Sequence, residues 1–261
     1  MTTNHLILDF SHVYCDEKIP KNDKVHWMDC SDITECDLYC SKRAEEIRAR
    51  IAPYGIHGIH FWDSGNYHYV TGIMTTLIKQ KISLILLDHH TDMQKPMIEQ
   101  MTSCGDWAGK VLKTNPWLQQ LILIGPQESD ILQIYREKEG LVSGAELQEK
   151  LITFSEEEIQ SVEDENKISR IKRNLPVYIS IDKDILDEEY SETNWSQGKM
   201  PLPVLERLLM PFLTSGNILG IDICGECQQG IPLPQYLEAE EINGETNKEL
   251  FDFLMHYCRN F

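Results

Sequence analysis

The run Leu87-Asp88-His89-His90-Thr91-Asp92 sets two carboxylates and an imidazole at alternate positions behind an apolar stretch. In an extended chain alternate side chains point the same way, so Asp88, His90 and Asp92 share a face. Ser180-Ile181-Asp182-Lys183-Asp184-Ile185-Leu186-Asp187 repeats the arrangement with Asp182 and Asp184. A third segment, Asp63-Ser64-Gly65-Asn66-Tyr67-His68, turns through glycine and brings His68 to a helix start. Four carboxylates and two imidazoles at one place repel one another unless protons or cations neutralise them. Two divalent ions would balance the four Asp charges. Carboxylate-rich donors with few imidazoles and no thiolate favour hard or borderline ions, Mn²⁺ ahead of Zn²⁺. A pair of ions ~3.5 to 4 Å apart activates a shared water and polarises an electrophile beside it, so the chemistry predicted is metal-assisted hydrolysis.

The elements that must position these groups are short apolar runs separated by longer amphipathic segments, the pattern of βα units and a parallel sheet. Strands are expected at 6–10, 56–62, 83–87, 121–124, 177–181 and 218–221. Helices are expected at 38–51, 67–78, 107–112, 155–171, 203–213 and 246–257, with capping boxes at Ser155/Glu158 and Thr246/Glu249. Residues 127–153 read as less regular, 187–203 as a long functional loop, and 228–244, with Pro232, Pro234 and Gly244, as a loop over a strand end. No repeat, linker or low-complexity segment interrupts the chain, which predicts one domain over residues 1–261. The architecture expected is three-layer α/β/α with a mainly parallel sheet. The carboxyl ends of such strands lie along one edge, where open α/β folds bind ligands, and the three acidic segments would meet there.

Composition narrows the partners. The 261 residues carry 24 Lys and Arg against 42 Asp and Glu, a net charge of −18, which disfavours nucleic acid and anionic lipid. The longest apolar stretch, Ile82-Ser83-Leu84-Ile85-Leu86-Leu87, is too short for a membrane span, and the first residues lack the basic character of a secretory signal. A cytoplasmic location is expected, with the eight cysteines mostly reduced. Cys30, Cys36 and Cys40 match no zinc spacing and read as packing groups; Cys224-Gly225-Glu226-Cys227 has thioredoxin-like spacing without a second pair for zinc. His5, His12, His26, His57, His60 and His256 read as structural or surface groups.

The acidic motifs resemble those of the ureohydrolases (arginase, agmatinase and relatives), which run Gly-Gly-Asp-His, Asp-Ala-His-x-Asp and Asp-x-Asp-x-x-Asp. Order and spacing agree over roughly residues 56 to 227. The resemblance implies that His68, Asp88, Asp92 and Asp182 bind one Mn²⁺ and that Asp88, His90, Asp182 and Asp184 bind the other, Asp88 and Asp182 bridging, with Asp187 in support. It implies hydrolysis of a linear C–N bond in a small cationic guanidino or amidino substrate. Asp92 would relay the proton, Trp195 and Tyr67 would close the pocket, and chains of this family often assemble as homo-oligomers. The departures are specific. The first motif keeps only Gly65 and His68, and Thr102-Ser103-Cys104-Gly105-Asp106-Trp107 has no shuttle histidine, leaving Cys104 as a pocket candidate. The closing Glu-Val-Asn-Pro becomes Asp222-Ile223-Cys224-Gly225-Glu226-Cys227, with Glu226 the natural partner for the guanidinium and Asp222 the second choice. The alternatives are a relative acting on arginine within a peptide, a zinc deacetylase-like amidohydrolase, and a noncatalytic metal-binding partner protein.

Overall fold

The computed structural model describes residues 3–14, 18–19, 23–136, 142–159 and 165–258. Among the described residues ten strands are formed: β1 (His5–Asp9), β2 (Val25–Asp29), β3 (Tyr39–Cys40), β4 (Ile59–Phe61), β5 (Ile82–Leu87), β6 (Thr102–Ser103), β7 (Leu118–Ile124), β8 (Leu151–Phe154), β9 (Val177–Asp182) and β10 (Ile218–Cys224). Eight of them make one sheet in the order β2-β1-β4-β10-β9-β5-β7-β8, every pair parallel. β3 and β6 pair separately as a short antiparallel ribbon.

A parallel sheet is covered on both faces, which is why β5 is apolar almost throughout and both β5 and β9 are buried along their whole length. Leu84 and Leu86 pack into a core with Ile47 and Ile51 of the helix Arg43–Ile51, Met74 of Tyr69–Thr75, and Trp107 and Leu112 of Trp107–Thr114. Ile85 and Leu87 point the other way, into a second core with Leu205 and Leu209 of Leu202–Leu213 and Leu250 and Leu254 of Leu233–Tyr257. Each fully buried Leu or Ile is worth roughly 1.5–3 kcal/mol, so the two cores clamp the sheet between helical layers. The expected three-layer α/β/α arrangement is the one found.

The differences lie at the margins. The sheet has β2 and β8 at its two edges, neither of which was expected, and residues 39–40 form the ribbon where a helix was expected to have begun. Residues 65–67 make a 3-10 turn and the following helix ends at Thr75. The expected helix 155–171 is two short helices, Glu156–Ile159 and Glu165–Ser169, with 160–164 outside the described residues. Its capping box at Ser155/Glu158 is present, each backbone N–H bonded by the other's side chain. Residues 127–153 contain the helices Glu128–Arg136 and Gly144–Lys150. The expected loop 228–244 is largely helix, since Leu233–Tyr257 starts just after Pro232. Thr246 is therefore mid-helix rather than a cap, and its hydroxyl bonds the Tyr190 carbonyl. Among the described residues no helix is long and apolar enough to cross a membrane, and the seven described cysteines are free thiols; Cys15 lies outside them.

Candidate metal centre

The four neighbouring strands β4, β10, β9 and β5 end at one edge, and each delivers a ligand-type side chain there. His68 follows β4 through a turn anchored by Asp63, whose carboxylate accepts from Phe10 N, Ser11 N, Ser11 Oγ and Ser64 N. Asp88 to Asp92 follow β5. Asp182 closes β9 and accepts from Asp184 N, which starts the 3-10 turn Lys183–Ile185. Cys224 closes β10, where the register sets it directly beside Asp182.

These segments build two clusters that share one residue. In the first, His68 Nδ1 lies 3.3 Å from Asp88 Oδ2, 3.1 Å from Asp92 Oδ2 and 3.3 Å from Asp182 Oδ2. In the second, His90 Nδ1 lies 2.8 Å from Asp184 Oδ2 and 3.6 Å from Asp88 Oδ1. Asp88 thus presents one oxygen to each. The structure brings His68, Asp88, His90, Asp92, Asp182 and Asp184 together, all buried except the half-buried His90.

Surrounding groups fix how these side chains are aimed. Ser180 Oγ donates to Asp222 Oδ1 at 2.6 Å, so it accepts from His68 Nε2 at 2.9 Å, and the Nδ1 of a neutral His68 is left as a lone pair facing three carboxylates. Such a chain behind an imidazole is the support that metal-binding histidines ordinarily have. Trp107 Nε1 donates to Asp92 Oδ2 at 2.5 Å, and His90 Nε2 meets Ser196 Oγ at 2.9 Å. Asp92 itself sits at φ 49°, a left-handed conformation that costs a non-glycine residue energy and is stored where function requires it.

The ionisation of this edge shows what it calls for. Burial, then Asp182 and Asp88, push the Asp184 carboxyl well above the usual carboxylate range. Burial and Asp88 lift Asp92 to about 7. Burial opposes a charge on His90, but Asp184 and Asp88 outweigh it and raise it to about 12. The carboxylates can therefore ionise together only against protons or cations. Asp88 Oδ2 is buried without a hydrogen-bond partner and points at the first cluster, so the donor set fits divalent metal ions.

Above the clusters opens a cavity of about 170 Å³, lined by the cluster residues together with Leu38, Tyr39, Gln94, Cys104 and Trp195 among others. Trp195 and Cys104 lie where the sequence suggested. Glu226 and Asp222 do not. The Glu226 carboxylate accepts from Lys183 Nζ at 2.6 Å and Asn247 Nδ2 at 2.8 Å, and is consumed in a buried ion pair away from the cavity. Asp222 is fully buried under the hydroxyls of Ser180 and Thr71 and supports His68 rather than a substrate. Tyr67 stacks on Phe10 at 4.2 Å in the core and closes nothing. Asp187 accepts from Glu189 N in a local turn. The residue that sequence reasoning weighed only as half of a Cys-x-x-Cys pair, and set aside, is Cys224, whose Sγ donates to Asp182 Oδ2 at 3.1 Å; the signal was its period-2 alternation with Asp222.

Gly225 allows this edge to close. Its φ is +99°, and a Cβ there would stand 2.5 Å from Asp182 Oδ1 and 2.8 Å from Lys183 N. Gly225→Ala should therefore displace Asp182 and weaken metal binding by about 10- to 100-fold, as losses of close supporting contacts do, while Gly216→Ala, whose Cβ meets open space, should not. Equilibrium dialysis with elemental analysis of both variants checks this.

No protein-family model matches the sequence. An uncharacterized protein of Thermotoga maritima is 28% identical, over 96% of this chain and 91% of its own length. Among solved structures, agmatine ureohydrolase of Thermoplasma volcanium superposes with a TM-score of 0.66 at 12% identity, covering 98% of this chain and 90% of that one. Formiminoglutamase of Trypanosoma cruzi, solved with Mn²⁺, gives 0.63 at 9% identity over 98% and 94%. The chain has the fold of these enzymes.

Proposed function

We propose that this chain is a divergent member of the ureohydrolases, hydrolysing a linear C–N bond of a small guanidino or amidino compound with two divalent metal ions, Mn²⁺ foremost and Zn²⁺ second. The observation that carries this reading is Asp88, placed with one oxygen in each of two ligand clusters. The ureohydrolase motifs and the fold shared with an agmatine ureohydrolase and a Mn²⁺-containing formiminoglutamase support it. His68, Asp88, Asp92 and Asp182 would hold one ion and Asp88, His90, Asp182 and Asp184 the other. When bound, the pair supplies Lewis-acid activation of water and of the carbon under attack.

The chain's own residues supply the rest. Asp92 lines the cavity with its carboxylate held by Trp107, and is assigned to take a proton from the attacking water and return it to the leaving amine. Trp195 stands at the mouth, T-shaped to His90 at 5.7 Å and 73° with its indole N–H held by Asn66 Oδ1, and is assigned to flank the substrate there. Gln94 and Ser103 offer neutral polar groups along the wall. With Glu226 and Asp222 engaged elsewhere, the cationic head has only the cluster carboxylates for charge among the described residues, so recognition is concentrated at the reacting group. The net charge of −18 favours the approach of a cation.

The test is a panel of small guanidines, amidines, formimino compounds, acyl-lysines and arginine-containing peptides, offered to Mn²⁺-loaded and metal-stripped protein. Urea, formamide, ammonia and acetate are measured. Metal-dependent release of urea, formamide or ammonia from a guanidino or amidino compound is expected. Release of acetate alone would point to deacetylase-like chemistry, and no product from any compound would overturn the reading.

A further inference from the structure

We infer that Cys224 is a metal ligand, so that the position at His68 is a mixed nitrogen, oxygen and sulfur site that takes a borderline ion such as Zn²⁺ or Co²⁺ in preference to Mn²⁺. The inference rests on the metal-dependent reading above and deepens it by assigning different ions to the two positions.

The geometry is that of the first cluster. One ligand atom from each of His68, Asp182 and Cys224 lies within 4.8 Å of the other two, and all three residues are buried. Cys224 Sγ stands 3.1 Å from the same Asp182 oxygen that faces His68 Nδ1 at 3.3 Å. A second observation points to the same place: Asp88 Oδ2, buried and without a hydrogen-bond partner, lies 3.3 Å from that imidazole nitrogen. The backbone is built around the contact too. The pairing of Cys224 with Asp182 across β10 and β9 fixes the sulfur at the strand end, and only a residue without a Cβ at 225 lets the chain turn this close to Asp182.

The chemistry separates the two positions. His90, Asp184 and Asp88 offer nitrogen and oxygen alone, which suits Mn²⁺, whereas a thiolate draws the softer, borderline ions. As the sulfur–metal bond forms, the thiol proton now shared with Asp182 leaves to solvent, as ligand protons do on metal binding. Cys227, three residues on, does not share in this, its Sγ resting 3.8 Å from the Gln228 carbonyl. The pair is therefore one ligand and one bystander rather than a dithiol.

Co²⁺ titrated into the metal-stripped full-length protein reads the ligand directly. The expected wild-type spectrum has visible ligand-field bands together with a near-ultraviolet band from thiolate-to-cobalt charge transfer. Cys224→Ser should keep the visible bands and lose the near-ultraviolet one, while Cys227→Ser and Cys104→Ser should keep both. Loaded from an equimolar Mn²⁺ and Zn²⁺ mixture, wild type should retain more Zn²⁺ per chain than Cys224→Ser. Visible bands with no charge-transfer band in the wild type would overturn the sulfur ligand and leave the metal site standing, a result that does not depend on any variant folding. Failure to bind cobalt at all would overturn both.

Discussion

Replacing Asp88 with alanine should release both metal ions together and lower hydrolysis by on the order of 10³-fold or more, the several kcal/mol that metal activation contributes. The reason is geometric. Asp88 Oδ2 faces His68 and Asp88 Oδ1 faces His90, so no other single side chain in the site reaches both clusters through separate oxygens. The variant should still fold. Burial works against the Asp88 charge, and the His68 and His90 imidazoles beside it hold its carboxyl well below the usual range. Removing it takes one negative charge away from Asp92, Asp182 and Asp184, whose ionisation it opposes. Metal-stripped Asp88→Ala is thus expected to melt close to metal-stripped wild type. Added Mn²⁺ at about 100 times its dissociation constant should stabilise wild type by about 2.7 kcal/mol, roughly 5–10 °C for a chain of this size, and leave the variant unmoved. A variant that keeps one ion per chain by elemental analysis would show two independent sites and refute the bridging assignment.

The site was legible in its ligand types and in their place just behind strongly apolar strands, but not in the extended alternation expected of them. His90 and Asp92 lie in bends beyond β5, Asp92 at φ 49°, and Asp184 lies in the 3-10 turn after β9, so turns rather than strand periodicity aim these side chains. A parallel sheet places the strand ends on one edge without further information. Cys224 too stands at a strand end, but its importance depends on the register of β10 against β9, which no local pattern specifies. Glu226 shows the converse. A carboxylate near the right place in the chain reads as free to bind a cation, yet its direction is set by Lys183 and by Asn247 on a distant helix.

The fold was readable in its centre and obscure at its borders for related reasons. β5 and β9 are buried on both faces, so their composition is dictated. β2 is an edge strand with partly exposed residues, and β8 is four residues long and follows a helix directly, so neither builds a strong pattern. The helix Leu233–Tyr257 was hidden by residues that ordinarily end helices. Pro232 and Pro234 sit at its start, where a missing N–H costs nothing. Gly244 lies inside it because Lys18 packs against that point, with Cγ 2.8 Å from where a Cβ would be.

Glu226→Ala should destabilise the protein by about 3–5 kcal/mol, the cost of leaving a buried charge without its partner. Lys183 is 0% exposed, and its ammonium is held by Glu226 Oε1 at 2.6 Å and Asn247 Oδ1 at 3.0 Å. Without the carboxylate, a single amide oxygen must satisfy a charge that water cannot reach. For a chain of this length that loss lowers the melting temperature by on the order of 10 °C. Metal content should fall as well, because Lys183 stands between Asp182 and Asp184 and its backbone carries both. The double variant Lys183→Met, Glu226→Leu separates charge from shape: replacing a buried ion pair with apolar groups of similar volume is often close to neutral, so it should recover most of the lost stability. Thermal melts of the three proteins decide between the two roles available to Glu226. If it were the partner of a guanidinium in the cavity, Glu226→Ala would melt within a degree or so of wild type and raise KM for the substrate. A strand end built on an ion pair instead requires the large thermal loss and its repair by the apolar pair.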